Sequence, residues 1–196
     1  MTSQATAAMH DADAATLRAQ VVECTREAFA AYSIDVDLDE GDPCPSAHKS
    51  QIVAFISFGG ARLRGTLTVM APKQLWQRTY PSAVLASVEQ GDTDLLDWCG
   101  EVVNQVLGRI KNKLARRGVE FQVSTPSAVH ASELTISRSA QRSVSILRAR
   151  SERGWAIGIW FDAAVEAGEM LIPLSSEGPA GGASEESMTE GDLLLF

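Results

Sequence analysis

Residues 97–126, DWCGEVVNQVLGRIKNKLARRGVEFQVSTP, hold the arrangement that points most directly to a chemistry. A carboxylate, Glu101, and a carboxamide, Asn104, stand three residues apart on a long helical pattern. The carboxylate is an acceptor of hydrogen bonds, whereas the carboxamide accepts and donates without needing a shifted pKa. Asp97, Glu101, Asn104, Gly108 and Lys111 recur at i, i+4, i+7, i+11 and i+14, so they line one face of a helix. A glycine inside a helix costs about 1 kcal/mol relative to alanine. Gly108 therefore marks a place for close approach, with packing against a neighbouring strand as the alternative. Pro126 follows Asn104 after twenty-one residues.

The helix that must present this face is expected over 94–117, opened by Thr93 or Asp94 and closed by Gly118 as a C′ glycine. Leu95, Trp98 or Cys99, Val102, Val103, Val106, Ile110 and Leu114 form its buried stripe. Arg109, Lys111, Lys113, Arg116 and Arg117 crowd its C-terminal end, where cations complement the helix dipole. A second helix is predicted over 17–32, capped by Thr16, with Leu17, Val21, Cys24, Ala28 and Ala31 on one face. In SIDVDLDEG, Ile34, Val36 and Leu38 alternate with aspartates, as in a half-exposed edge strand. The aspartates do not form a calcium loop: counting from Asp35, Glu40 stands where glycine is required and Ser46 where a bidentate Glu belongs.

Residues 50–58 and 61–71 read as a hairpin turned at Gly59-Gly60, with Arg62, Arg64, Thr66 and Thr68 on a wet face and Leu63, Leu67 and Val69 inward. Pro72 opens a short helix, PKQLWQRTY, and 82–93 is a short helical or loop connection. Strands are expected at 119–125, 127–136, 142–150 and 154–162. The last two form a hairpin in which Ile157, Ile159 and Phe161 share a face and Trp155 anchors one end.

A chain of 196 residues can bury one real core and still carry a tail. Its net charge of −8 argues against a dedicated nucleic-acid binder. Cys24, Cys44 and Cys99 are too scattered for a disulfide framework or zinc site, and His10, His48 and His130 form no ligand pair, so no metal is expected. No apolar run approaches the roughly 20 residues that span a bilayer, and the N-terminus lacks the pattern of a signal peptide. The expected setting is cytoplasmic, without membrane contact. The organisation read from composition is a disordered N-terminus at 1–14, a domain at 15–174, a flexible acidic linker at 175–191 and an apolar tip at 192–196.

Asp97-x-x-x-Glu101-x-x-Asn104 followed by Pro126 resembles the signature of the CheC/CheX/FliY family of response-regulator phosphatases. GEVVNQVLGRIKNKLARRG, then a strand and STPSAV, resembles the CheX type in particular, although the Asn-to-Pro spacing is one residue shorter than usual there. The resemblance covers roughly residues 15–165. It implies an α/β fold: an antiparallel sheet with two long helices packed on one face. It also implies homodimers joined through sheet edges. The implied partner is a phosphorylated CheY-like response regulator bearing an aspartyl phosphate, a bound Mg²⁺ and an essential lysine. Asn104 matches the residue that positions the attacking water, and Glu101 the one that pairs with the lysine. Asp97, Gly108 and Pro126 would support that pair, with no metal or cofactor on this chain.

Asp192, Leu193, Leu194, Leu195 and Phe196 look like the C-terminal CheY-binding peptide of CheZ. On that likeness the tip docks on the regulator as an amphipathic helix and raises its effective concentration to the order of mM. The alternatives are a frayed end or a tip folded onto its own domain or a sister subunit. Two rival functions stand beside the phosphatase: an adaptor of the same fold that binds a regulator or flagellar-switch component without hydrolysis, and a small-molecule sensor domain.

Overall fold

The computed structural model describes residues 2–40, 51–80, 92–131, 143–151 and 155–165. Its elements are α1 (Thr2–Ala30), β1 (Val36–Glu40), β2 (Gln51–Gly59), β3 (Leu63–Pro72), α2 (Lys73–Thr79), α3 (Asp92–Ala115), β4 (Gln122–Val123), β5 (Ser127–Ala131), β6 (Ser143–Ser151) and β7 (Ala156–Val165). The strands form one antiparallel sheet in the order β1-β6-β7-β3-β2-β4, with β5 also paired to β2. The expected architecture is present, and β1 is an edge strand as its alternation suggests.

Period-two alternation decides what the sheet buries. Ile52, Ala54, Ile56 and Phe58 of β2, Leu63, Leu67, Val69 and Ala71 of β3, and Ile157, Ile159, Phe161 and Ala163 of β7 all join one core. Leu17, Val21, Cys24, Ala28 and Phe29 of α1 meet them there with the buried stripe of α3. Burial of each large apolar side chain contributes about 1.5–3 kcal/mol, which holds both helices on this face. Val53, Met70 and Trp160 form a separate small cluster from the intervening strand positions. Trp155 packs against the main core, as anticipated.

Several local expectations change. Helix α1 begins at Thr2, so it runs through residues expected to be disordered. Five alanines among residues 2–14 favour helix, a propensity that the polarity of the segment masked. The first hairpin turns at Ala61-Arg62 rather than Gly59-Gly60: Gly59 pairs with Arg64, and the Gly60 N–H donates to the Leu63 carbonyl at 2.9 Å. Gly60 serves a different need, because a Cβ there would run into the Glu120 carbonyl and sit 3.0 Å from the Phe121 Cα. The strand expected over 119–125 shrinks to β4, and the chain breaks pairing again before β5. Pro126 has no N–H to donate to a ladder. The connection at 82–91, the segment 132–142, the linker and the tip lie outside the described residues.

Helix α3 ends as its sequence suggests. Gly118 takes φ +77°, and the Gly118 and Val119 N–H groups donate to the Ala115 and Leu114 carbonyls at 2.9 and 3.0 Å. Its basic residues do more than face the helix dipole. Lys113 Nζ lies 2.9 Å from Glu27 Oε1 and 3.0 Å from Glu23 Oε1, tying α3 to α1.

Candidate functional site

Burial fixes the rotation of α3. Leu95, Cys99, Val102, Val103, Val106, Leu107, Ile110 and Leu114 are all buried, which leaves Asp97 and Glu101 exposed and Asn104, Gly108 and Lys111 half-exposed. The polar stripe read from spacing therefore exists as one outward face. The Cys99 alternative, not Trp98, fills the core position; Trp98 sits at its border.

Pro126 is brought to the same helix. A Cβ built on the buried Gly100 would lie 3.4 Å from Pro126 Cβ and 3.5 Å from Cγ, so the proline packs on α3 beside Glu101 and one turn before Asn104. The segment between β4 and β5 delivers it. Ser124 N–H donates to the Ser57 carbonyl at 2.9 Å, and Ser57 N–H donates to Ser124 Oγ at 3.1 Å. These two bonds hold the last paired position before the strand departs towards the helix.

Next to Glu101, an open depression of about 450 Å³ is lined by Tyr80, Asp94, Asp97, Trp98 and Glu101. Trp98 forms a fixed wall. Its Nε1–H donates to Thr79 Oγ1 at 2.9 Å, and Thr79 in turn donates to the Trp76 carbonyl at 2.7 Å. Tyr32 meets Trp98 edge-on with ring centroids 5.8 Å apart, and Tyr80 lies 5.4 Å away at a tilt. Two aromatic rings and three carboxylates around one opening favour an approaching cation. Among the described residues no three His, Cys, Asp or Glu side chains converge to hold a metal ion, and no helix is long and apolar enough to cross a membrane.

The two central side chains differ in how they are held. Gln105 Nε2 donates to Glu101 Oε1 at 3.2 Å, and the Tyr32 hydroxyl donates to Gln105 Oε1 at 2.7 Å. Burial, with the nearby Glu101 charge second, pushes the Tyr32 phenol above its ordinary pKa, so it remains a donor. Asn104 makes no side-chain hydrogen bond among the described residues, so its amide is open to an incoming group. Around Gly108 a Cβ would meet nothing within 4 Å among the described residues, which removes packing against a strand as the reason for the glycine.

Sequence reasoning missed Tyr32, Thr79, Tyr80 and Gln105. Gln105 stands four residues after Glu101, a spacing that brings side chains together on a helix and could have revealed it. Nothing local marks Tyr32, 73 positions away from its partner. Asp192 to Phe196 lie outside the described residues.

Residues 52–148, from β2 into β6, match the sequence model of a family described as chemotaxis phosphatase CheX. That segment is 97 of the 196 residues, and over it the chain resembles the CheX family. Solved structures agree in fold. The CheX-like chain is similar to chemotaxis protein CheX from Vibrio vulnificus at 20% identity and TM-score 0.61, covering 74% of this chain and 94% of that one. It is similar to a CheC-like superfamily protein from Shewanella sp. PV-4 at 19% identity and TM-score 0.63, covering 76% and 97%. A chain of the CheX–CheY–BeF3–Mg²⁺ complex from Borrelia burgdorferi matches at 13% identity and TM-score 0.50, covering 72% and 96%. No curated protein matches the chain by sequence.

Proposed function

We propose that this CheX-like chain hydrolyses the aspartyl phosphate of a CheY-like response regulator. One observation carries the reading: Glu101 and Asn104 share an outward face of α3, with Pro126 packed against the helix between them and Asp97. A flat, outward pair of this kind suits insertion into a partner's site rather than binding of a small molecule in a cleft. The CheX–CheY–BeF3–Mg²⁺ complex of Borrelia burgdorferi supports a partner of this type.

Phosphoryl transfer needs positioning and charge stabilisation more than covalent help. Mg²⁺ and the lysine belong to the regulator and neutralise charge there; this chain brings no cofactor of its own. Asn104 supplies the missing element. Its carbonyl oxygen accepts a hydrogen bond from the water and its NH₂ donates, which aims the water oxygen in line at phosphorus. The bond from water oxygen to phosphorus forms as the acyl oxygen–phosphorus bond breaks. The aspartate leaves as a carboxylate, and inorganic phosphate is released. Glu101 is not a general base here. It pairs with the regulator lysine, and Asp94 and Asp97 beside it extend a negative surface that favours the same cation.

Two further parts belong to the reading. The apolar tip, Asp192 to Phe196, tethers the regulator through the acidic linker, and two copies of the chain join through a sheet edge, β1 or β4/β5. Regulator dephosphorylation by wild type, Glu101→Ala and Asn104→Ala tests the centre of the proposal. Asn104→Ala should lower kcat by about 100-fold, the scale of a lost alignment, while binding persists. Glu101→Ala should weaken both. Unchanged hydrolysis by Asn104→Ala removes the mechanism, and binding without hydrolysis by the wild type leaves an adaptor.

A further inference from the structure

The contacts behind Glu101 show a device that the pair itself does not. A glutamate on an exposed helix face samples several rotamers, and fixing one opposes binding by reducing side-chain freedom. Here Gln105 is the carboxylate's one hydrogen-bond partner among the described residues, its Nε2 donating to Oε1 at 3.2 Å on an exposed face. A carboxamide can present either its oxygen or its nitrogen. Turned the wrong way, Gln105 would set a carbonyl against the carboxylate and repel it. The carboxylate can only accept, so it takes the NH₂, and the Tyr32 hydroxyl, donating to Gln105 Oε1 at 2.7 Å, holds the amide in that orientation. Tyr32 is itself fixed. It follows the last residue of α1 by two, its N–H donates to the Phe29 carbonyl at 3.0 Å, and its ring stands edge-on to Trp98.

We infer that Tyr32 and Gln105 are positioning residues that set the rotamer of Glu101 for the cationic side chain of the partner. The relay runs from the end of α1, through the amide, to the carboxylate, and its output is affinity rather than the chemical step. This inference rests on the reading of Glu101 as the lysine-binding residue. A merely structural tie between α1 and α3 would give a different pattern, because its loss would lower thermal stability without depending on Glu101.

A double-mutant cycle separates these cases. The probe is a purified CheY-like regulator loaded with BeF3⁻ and Mg²⁺ for affinity, and the same regulator phosphorylated for kinetics. Gln105→Met keeps the volume and removes both hydrogen bonds; Tyr32→Phe removes only the hydroxyl. Each should raise Kd and KM by about three- to five-fold, the size of one partly exposed hydrogen bond, with kcat within about two-fold. In a Glu101→Ala background both changes should have no further effect on Kd. Gln105→Asn, whose shorter amide reaches only one neighbour at a time, should fall between Gln105→Met and wild type. Multiplying effects in the Glu101→Ala background, or wild-type affinity for Gln105→Met, overturn the relay while leaving Glu101 in its role. Wild-type affinity for Glu101→Ala overturns the role of Glu101, and the relay with it.

Discussion

Replacing Gly108 by alanine separates what the helix prefers from what its partner requires. The glycine lies within α3, and its φ is not in the left-handed region that would demand a glycine. A Cβ would meet nothing within 4 Å among the described residues. Neither backbone nor packing needs the missing side chain, so Gly108→Ala should gain the full helix-propensity difference of about 1 kcal/mol. For a chain of this size that raises Tm by about 2–4 °C. The new methyl group would stand one turn beyond Asn104 on the proposed docking face. Where a partner's surface is in contact, overpacking of this kind costs about 1–3 kcal/mol, so KM for the phosphorylated regulator should rise about 10-fold while kcat is largely kept. Thermal melting by circular dichroism and steady-state dephosphorylation read the two effects independently. A Tm that is unchanged or lower would refute the open space at Gly108. A raised Tm with unchanged KM would remove Gly108 from the docking face.

Other outcomes follow from the same geometry. Gly60→Ala should lower stability by about 1–3 kcal/mol, seen as an earlier urea midpoint, because its Cβ collides with the Glu120 carbonyl. Burial pushes the Cys99 thiol up to about 12 and the Cys24 thiol to about 11, against about 8.5 for an exposed thiol. At pH 8.5 iodoacetamide should therefore leave both unmodified in the native protein and alkylate them in urea, as site-resolved mass spectrometry would show. Because both folded values are raised, the stability tied to the protonated thiols is present below about pH 8.5 and is lost as pH rises towards 11–12. Deleting residues 188–196 should raise KM more than it lowers kcat, and equal KM with and without the tip contradicts tethering.

Much of the site could be read because helix periodicity is local. Leu95, Cys99, Val102, Val106, Ile110 and Leu114 repeat at the spacing of a buried stripe, and that repeat alone turns Glu101 and Asn104 outward. Gly118 marks the helix end for an equally local reason, its positive φ. Alternation in β2, β3 and β7 likewise reveals which side faces the helices. What could not be read depends on distant partners. Gly60 looks like a turn residue until the Glu120 backbone is placed against it. Lys113 looks like a helix-dipole cation until Glu27, 86 positions away, is brought beside it. Pro126 signals a break in a strand, but its resting place on Gly100 is a property of the folded sheet.

The ties between α1 and α3 have a consequence for the thermodynamics of recognition. Lys113 grips Glu23 and Glu27, and Gln105, eight residues earlier, takes the hydroxyl of Tyr32. At 1.5 Å per residue these anchors stand about 12 Å apart along one helix. The helix bearing Glu101 is thus preorganised, and its backbone has little freedom left to surrender on association. Each side chain immobilised at an interface otherwise opposes binding by about 0.5–1.5 kcal/mol. In the proposed complex Glu101 would have met part of that requirement intramolecularly through Gln105, whereas Asn104 would meet it only on docking. On the proposed mechanism the entropic penalty of docking is therefore concentrated on the residue that would also capture the water, which would link the ordering of one amide to the moment at which the reaction becomes possible.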